Sequence, residues 1–265
     1  MLQTITNKLN AWFYESNRAE RIWMMAKIEF KLRYYENKLG LAWAVIKPVS
    51  QIIMYYVVFQ ILMAQQVPNY VIYLFAGLMM WLFFVEVTTG TVKILQTKKY
   101  LYEYTNMYKI EIYMASVISS IIGLLFNFVI FLIGALIAGI YPTYHYIYFI
   151  LIFINLLILS FGVSLILSNL FLLFKDIMQI WGIVVSFGFF LSPILYRGDL
   201  FSAKLPVLDY LNPIAGIINN TRNILMEAKP PDWGMLAYDM AYALVIFMIG
   251  IYFLKKYSAR ASEYL

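Results

Sequence analysis

Residues 70–92 read YVIYLFAGLMMWLFFVEVTTGTV, a run in which Glu86 is the only charged side chain. A block of roughly 20 apolar residues in a helix is long enough to cross the hydrocarbon core of a bilayer. Because lipid offers no hydrogen bonds to the backbone, such a block must satisfy its own amide groups, which a helix does. The run therefore predicts a transmembrane helix.

Five other apolar blocks of comparable length are predicted to be transmembrane helices for the same reason. They are residues 41–63, 110–140, 146–174, 177–196 and 236–254. The 265-residue chain is 63% hydrophobic and 13% charged, whereas soluble domains carry about 25% charged residues. The sequence predicts an all-α membrane protein with six transmembrane helices, divided into a cytoplasmic segment (1–38) and a six-span membrane domain (39–265).

The distribution of Lys and Arg predicts the orientation of the spans. Basic residues are abundant in 1–38, in the 93–109 loop and after residue 254, but absent from 64–69 and from the turn at Pro142. Since cytoplasmic loops carry the excess of Lys and Arg, both termini are expected on the cytoplasmic side of the membrane. Topology thus explains the net charge of +6, and no nucleic-acid partner is expected. No apolar region of a cleavable signal peptide is seen in the first twenty residues.

The N-terminal segment predicts an amphipathic helix. Met25, Ile28, Leu32 and Tyr35 recur at helical spacing and share one face. Lysines beside that face suit a helix lying in the cytoplasmic membrane interface. A second apolar stripe leaves open whether the helix packs on protein or serves only as a lipid anchor.

The loop between the last two spans, 197–234, contains a short apolar segment. Asn212 followed by Pro213 reads as a helix N-cap and a first helical position. The segment continues to about Met226, which is too short to span. It predicts a re-entrant hairpin on the outer side; the alternative is a surface helix packed on the outer ends of the bundle.

Several chemistries are excluded or disfavoured by composition. The chain has no Cys and one His, so disulfides, thiolate metal sites and His clusters are not expected, and no metal is predicted. No P-loop pattern is present, so this chain is not expected to bind ATP by a P-loop, and any ATP-driven work would require another subunit. A membrane glycosyltransferase would need clustered acids, whereas Asp199, Asp209 and Asp232 are scattered. The chain is therefore not expected to be an enzyme.

Polar and aromatic side chains within the spans are candidates for a substrate path. They are Tyr55, Tyr56, Trp81, Glu86, Asn127 and Asn155. Aromatic faces can stack on sugars, and the polar groups could face a permeation route. The alternatives are ordinary bundle packing for the aromatics and hydrogen-bonded helix contacts for the polar groups.

Four short sequence blocks, in this order along the chain, resemble the motifs of a known protein family. They are Leu39–Trp43 with Lys47-Pro48, Phe174–Ile177, Leu191–Tyr196, and Leu211–Ala215 with Arg222. At these places in a six-span pattern they resemble the permease subunits of type-2 ABC transporters, most closely exporters of lipid-linked O-antigen, teichoic acid or capsule. The loop at 98–108 departs from the family pattern because it lacks a Phe-Pro pair.

The resemblance implies a homodimer that works with two copies of a separate ATPase, which would bind ATP and Mg. The substrate would be a polyprenyl-linked polysaccharide, or a small molecule or drug in another exporter of the same fold. It also implies roles for four sets of residues. The expected ATPase contacts are Lys98, Lys99, Tyr100, Glu103 and Tyr104; the cytoplasmic turn is Lys175 and Asp176; the hairpin residues are Pro193, Asn212, Pro213 and Arg222; the lipid-head candidates are Arg21, Lys27, Lys31 and Arg33.

Overall fold

The computed structural model describes residues 17–35, 38–62, 67–105, 107–196 and 210–257. Regular structure in this part of the chain is helical. The helices are α1 (Arg18–Tyr35), α2 (Ala42–Tyr55), α3 (Tyr70–Thr91), α4 (Ile94–Thr97), α5 (Lys99–Tyr104), α6 (Lys109–Ile137), α7 (Phe149–Leu173), α8 (Ile177–Leu191), α9 (Pro213–Leu225) and α10 (Trp233–Tyr257). A π-helical segment, Tyr56–Leu62, continues α2, and a 3₁₀ turn, Tyr144–Tyr148, precedes α7.

Five helical stretches within the described residues are long and apolar enough to cross a membrane. They are Ala42–Leu62, Tyr70–Thr91, Lys109–Ile137, Tyr144–Leu173 and Trp233–Tyr257. The prediction of an all-helical, multi-pass membrane protein is confirmed, and these stretches match five of the six predicted spans. The remaining one, 177–196, contains only the 15 residues of α8. At 1.5 Å per residue α8 is roughly 22 Å long, which is shorter than the hydrocarbon core of roughly 30 Å.

Helix α3 lies at the centre of the bundle. It contacts α2, α6, α7, α8 and α9, and Leu74, Leu78, Met79 and Met80 are completely buried. A helix that is apolar on all sides is stable only where other helices or lipid surround it. The stretch that defines the fold in the sequence is thus the one around which the other helices pack.

Helices α7 and α10 pack closely because glycines face each other at the contact. A Cβ atom on Gly162 would lie 2.7 Å from Cα of Phe247, and one on Gly250 would lie 2.7 Å from the carbonyl oxygen of Gly162. Small residues at a helix contact allow the two backbones to approach, which is the main source of packing energy inside a bilayer. This contact anchors the last span against the core.

Helix α1 packs along α6 rather than standing alone. Ile22 and Ala26 are buried against Ala115 of α6. Of the face predicted from the sequence, Ile28 and Leu32 are more than half exposed. The protein-facing side of α1 is therefore offset from the predicted apolar face, which remains uncovered. Packing on protein is confirmed, and an interfacial position for the helix stays a prediction.

The first span is irregular and loosely packed. Pro48 lies inside α2, where proline lacks the N–H that would bond to the carbonyl four residues earlier. Ser50 Oγ donates to the Lys47 carbonyl at 2.8 Å. No residue of the following π-helical segment is buried, and α8, on another side of α3, has no buried residue either. These two helices are the outer elements of the bundle.

The close contact between α7 and α10 predicts a stability effect. Gly162→Ala should lower the stability of the purified protein by about 1–3 kcal/mol, because the new methyl group would overlap the Phe247 backbone. The midpoint of thermal unfolding in detergent would measure it. Gly182→Ala is the matched control, because a Cβ at Gly182 meets nothing within 4 Å. Equal unfolding midpoints for the two variants would contradict the close contact between α7 and α10.

Candidate functional site

Two arginines of α1 converge on a carboxylate at the start of α6. Arg21 Nη2 lies 3.2 Å from Glu111 Oε2, and Arg18 Nε lies 3.7 Å from Glu111 Oε1. Glu111 is fully buried and occupies the first turn of α6, where the helix dipole also favours a negative charge. Arg21, predicted as a lipid-head contact, is thus engaged by a protein carboxylate.

Two further ion pairs fix α1 to the bundle. Glu29 pairs with Lys98, which lies between α4 and α5, and Arg33 pairs with Glu86 of α3. With the pair to Glu111, α1 is joined to three separate elements. A rigid body that touches the loop before α5, the central helix and α6 can transmit movement among them.

The pair formed by Arg33 and Glu86 borders a pocket of about 450 Å³ between α1, α2, α3 and α6. Its polar lining residues are Arg33, Lys47, Ser50, Gln51, Glu86 and Asn127. Glu86 and Asn127, two of the predicted path residues, therefore face the same open space. The structure supports their grouping, and their role in a substrate path stays a prediction.

The other predicted path residues lie elsewhere. Tyr55 packs on Phe189 of α8, with ring centroids 5.4 Å apart. Tyr56 lines a separate pocket near the outer end of α3. Trp81 is 5% exposed and also contacts the Phe189 ring, at 6.1 Å. Tyr55 and Trp81 thus pack on the same Phe189 ring, as in ordinary bundle packing, and a role in a substrate path stays a prediction.

Asn155 is completely buried on α7 and faces the backbone of α10. With its amide oriented so that the nitrogen donates, the side chain lies 3.2 Å from both the Asp239 carbonyl and the Met240 N–H. An amide that bonds to two backbone groups of a neighbouring helix holds the two helices together. This contact matches the helix-bonding alternative for Asn155.

The outer helix α9 begins as the sequence predicts. Asn212 is its N-cap, with Oδ1 accepting from the Ile214 N–H at 3.1 Å, and Pro213 is its first residue. The Asn212 amide also donates to Ser192 Oγ at 2.8 Å. The cap therefore joins the start of α9 to the end of α8.

Arg222 ties three outer segments together from the last turn of α9. It is 3% exposed and donates to the Tyr73 carbonyl at 3.2 Å, to the Tyr73 hydroxyl at 2.7 Å and to the Ile194 carbonyl at 2.9 Å. It also donates to the Pro193 carbonyl. A guanidinium offers five N–H donors in a fixed plane, which suits several carbonyls from separate segments.

The charge of Arg222 is buried against dipoles and an aromatic ring. Its guanidinium carbon lies 3.5 Å from the centroid of the Tyr73 ring, a cation–π arrangement. Burial lowers the pKa of Arg222 to about 10, so the side chain remains a cation at neutral pH. A Cβ at Gly77 would lie 2.7 Å from Arg222 Nη2; a glycine at position 77 is what leaves room for the guanidinium.

The predicted ATPase contacts lie on and before α5. Tyr100 and Tyr104 are 57% and 84% exposed, while Lys99 pairs with Glu103 along α5 at 3.5 Å. Lys98 is already held by Glu29. The structure therefore separates this set into exposed aromatic rings and a lysine that contacts α1.

The remaining candidates lie at the cytoplasmic turn and on α1. Lys175 lies over the Phe171 ring at 4.8 Å, and Asp176 immediately precedes α8. Lys27 lies over the Trp23 ring at 5.1 Å, and Lys31 is exposed. The four cationic candidates on α1 thus do not form one cluster, because Arg21 and Arg33 have carboxylate partners within the chain.

The sequence does not reveal which residues far apart in the chain form ion pairs or hydrogen bonds with each other. Glu111 and Arg21 are 90 residues apart, and Arg222 and Tyr73 are 149 residues apart. Neither pair belongs to a local motif. The nearest sequence signal was an acidic residue at the start of a span, which marks Glu111 without naming its partner.

The fold defines a class: a polytopic, all-helical membrane protein with an N-terminal helix bound to the bundle by ion pairs and a short apolar helix, α9, before the last span. Residues 20–226 match the model of the ABC-2 type transporter family. The chain belongs to that family.

Relatives with assigned names cover most of the chain. It is 28% identical over 224 residues to the O-antigen export system permease protein RfbA of Klebsiella pneumoniae, covering 84% of this chain and 83% of the relative. A protein of the same name from Myxococcus xanthus is 24% identical, covering 82% and 85%. The polysialic acid transport protein KpsM of Escherichia coli is 22% identical, covering 84% and 88%. The expected resemblance to permease subunits is confirmed.

The contacts of Arg222 predict that it is essential for the outer side of the fold. Arg222→Gln should lower stability by about 2–4 kcal/mol, because three buried carbonyls on two segments lose their charged donor. The thermal unfolding midpoint would show it. Lys229→Gln is the control, since its pair with Glu227 is exposed and such pairs contribute little. An unfolding midpoint that is unchanged in both variants would contradict the role of Arg222 in holding these segments together.

Proposed function

We propose that this chain is the permease subunit of an ATP-driven exporter that moves a lipid-linked polysaccharide across the inner membrane of a bacterium. The observation that carries the proposal is the family match over residues 20–226 together with relatives named for O-antigen export and polysialic acid transport. The chain itself is a transport subunit, and ATP hydrolysis belongs to a partner ATPase that binds ATP and Mg.

The proposed topology has six crossings with both termini in the cytoplasm. It requires that α8, with the turn that follows it, crosses the membrane although the helix has only 15 residues. The basic residues on α1 and around α4 and α5 support the orientation. In this topology α9 lies at the outer side as a re-entrant helix, and its cap contact with Ser192 joins it to the outer end of α8.

The proposed partner surface is the cytoplasmic side around α5. The exposed rings of Tyr100 and Tyr104 suit a protein contact, because aromatic residues are enriched at interfaces. The adjacent pair of Lys98 and Glu29 connects this surface to α1. Movement of the ATPase would then reach α3 and α6 through Arg33 and Glu111. In the full exporter two copies of this chain and two ATPase subunits are expected to assemble.

The crossing by α8 predicts a labelling pattern, and the chain has no native Cys to interfere. Phe174→Cys lies just before α8 and Leu211→Cys lies after it; both positions are exposed. In intact cells a membrane-impermeant maleimide should label position 211 and not 174. Tyr141→Cys, in the turn between α6 and α7, is the positive control. Equal labelling at 174 and 211 would rule out the crossing.

Reconstitution with the cognate ATPase tests the proposed activity. Inside-out vesicles that contain both subunits should take up lipid-linked polysaccharide in an ATP-dependent manner, and vesicles with this chain alone should not. Uptake by the chain alone would contradict the assignment as a permease subunit. The same vesicles test the route of coupling through α1.

Exchanging the charges of Glu29 and Lys98 tests whether this ion pair transmits movement to α1. Lys98→Glu should lower export roughly fivefold, as about 1 kcal/mol of lost coupling would, because two carboxylates would then repel each other. The double variant Lys98→Glu/Glu29→Lys should recover export. A double variant as poor as the single one would indicate that Lys98 acts on the ATPase and not through α1.

A further inference from the structure

An acidic side chain without a hydrogen-bond donor is buried between α9 and α10. Asp239 of α10 is 1% exposed, and neither of its carboxyl oxygens has a hydrogen-bond partner within the described part of the chain. It lies six residues after Trp233, the first residue of α10, which is roughly 9 Å along the helix. Buried polar groups in proteins are nearly always hydrogen-bonded, so this exception needs a physical explanation.

The carboxyl group of Asp239 is packed directly on the backbone of α9. A Cβ atom on Gly216 would lie 2.1 Å from Asp239 Oδ2 and 2.8 Å from Met235 Cγ. The lack of a side chain at position 216 is what allows this approach. The backbone of Asp239 is held from α7, since the Asn155 amide lies 3.2 Å from its carbonyl. Helix α10 is thus fixed to α7, while the side chain of Asp239 faces α9.

The charged groups near Asp239 offer it no counter-charge within the described residues. Helix α7 has no charged or titratable side chain, and Arg222 of α9 directs its guanidinium to the carbonyl and hydroxyl of Tyr73. Asp232, whose Oδ1 accepts from the Met235 N–H at 3.0 Å, brings a second acidic group to the same joint. The titratable neighbours on α10 itself are Tyr238 and Tyr242.

This packing favours the neutral acid. An ionised carboxylate without a partner is far more costly to bury than a neutral polar group, and a second acid nearby adds repulsion. Water at the carboxylate would remove that cost, but Gly216 covers Oδ2. Water can reach Oδ2 only if α9 moves off α10. Loss of the proton from Asp239 and displacement of α9 are therefore linked.

We propose that Asp239 is a proton-dependent latch for α9. The neutral acid lets α9 pack on α10, and ionisation loosens α9 around Gly216 while Arg222 still holds its last turn to α3. The latch responds to the pH on the side where α9 lies, and the proposed topology places that side outside the cell membrane. The choice of side rests on the proposed function, and the latch itself does not.

The latch predicts a pH dependence with a definite sign. A solvated aspartate titrates at about pH 4, so at higher pH the displaced α9 gains an ionised Asp239 that the packed form excludes. The packed form is therefore most stable at low pH and loses stability as the pH rises. By linkage, displacement should increase about tenfold per pH unit above about pH 5, until Asp239 ionises in the packed form as well.

Hydrogen–deuterium exchange of the α9 backbone amides, measured by mass spectrometry of the purified chain in detergent, reports this displacement. At each pH the unmodified chain is compared with Asp239→Asn, which keeps the shape of the side chain but cannot ionise. Intrinsic exchange then cancels in the ratio of the two rates. Glu227→Gln is the matched control, because it removes an exposed carboxylate just after α9. Thermal unfolding of each variant at low pH reports whether the fold is intact.

Between pH 5.5 and pH 7.5 the rate for the unmodified chain relative to Asp239→Asn should rise by roughly tenfold or more, and Glu227→Gln should show the same rise. A constant ratio, or loss of the rise in Glu227→Gln, would overturn the latch. Failure of ATP-dependent export with the rise intact would count against the proposed function alone.

Gly216→Ala tests the contact from the other side, also if Asp239→Asn does not fold. Its methyl group would occupy the position of Asp239 Oδ2, so α9 should exchange faster at low pH and lose most of its pH dependence. Retention of the full pH dependence in Gly216→Ala would show that the contact between Gly216 and Asp239 is not the latch.

Discussion

The burial of α3 is the constraint on which the rest of the structure depends. Most of its side chains are apolar and buried, and the neighbouring helices supply the faces that cover them. Fixed charges meet this helix near its two ends. Arg222 contacts Tyr73 at the outer end, and Arg33 contacts Glu86 near the inner end. The two residues of α3 are roughly 20 Å apart along the helix axis, so α3 is held by one arginine near each of its ends.

The two arginines hold α3 by different means, and the difference has a physical cause. Arg222 is almost fully buried and is satisfied by carbonyl dipoles and the Tyr73 ring, a set of contacts that no small movement can replace. The side chains of Arg33 and Glu86 are 30% and 35% exposed beside an open pocket. An exposed pair is weaker and can exchange partners. The outer end of α3 is thus the fixed end, and the inner end can respond to a ligand or to a partner.

The sequence was sufficient to predict the features that depend on residues close together in the chain. Long apolar blocks gave five of the six predicted crossings, and Asn212 with Pro213 predicted the start of α9 because capping involves residues only two positions apart. The sequence could not give the partners of Arg222 or Glu111, which lie on distant helices. It also did not locate the protein-facing side of α1, because apolar residues at helical spacing look the same whether they meet protein or lipid: Ile22 and Ala26 are buried, whereas Ile28 and Leu32 of the predicted interfacial face are exposed.

The packing density of each helix indicates which helices can move with the smallest loss of packing contacts. Helices α7 and α10 are in backbone contact at Gly162 and Gly250, so their separation would expose a closely fitted surface. Helix α2 contains Pro48 and continues beyond Tyr55 as a π-helical segment without buried residues, and π-helical distortions are often found at functional sites. Helix α8 also lacks buried residues. A cycle that moves α2 and α8 against a fixed core of α3, α7 and α10 would break few contacts, and α2 carries Lys47 into the pocket that Arg33 and Glu86 share.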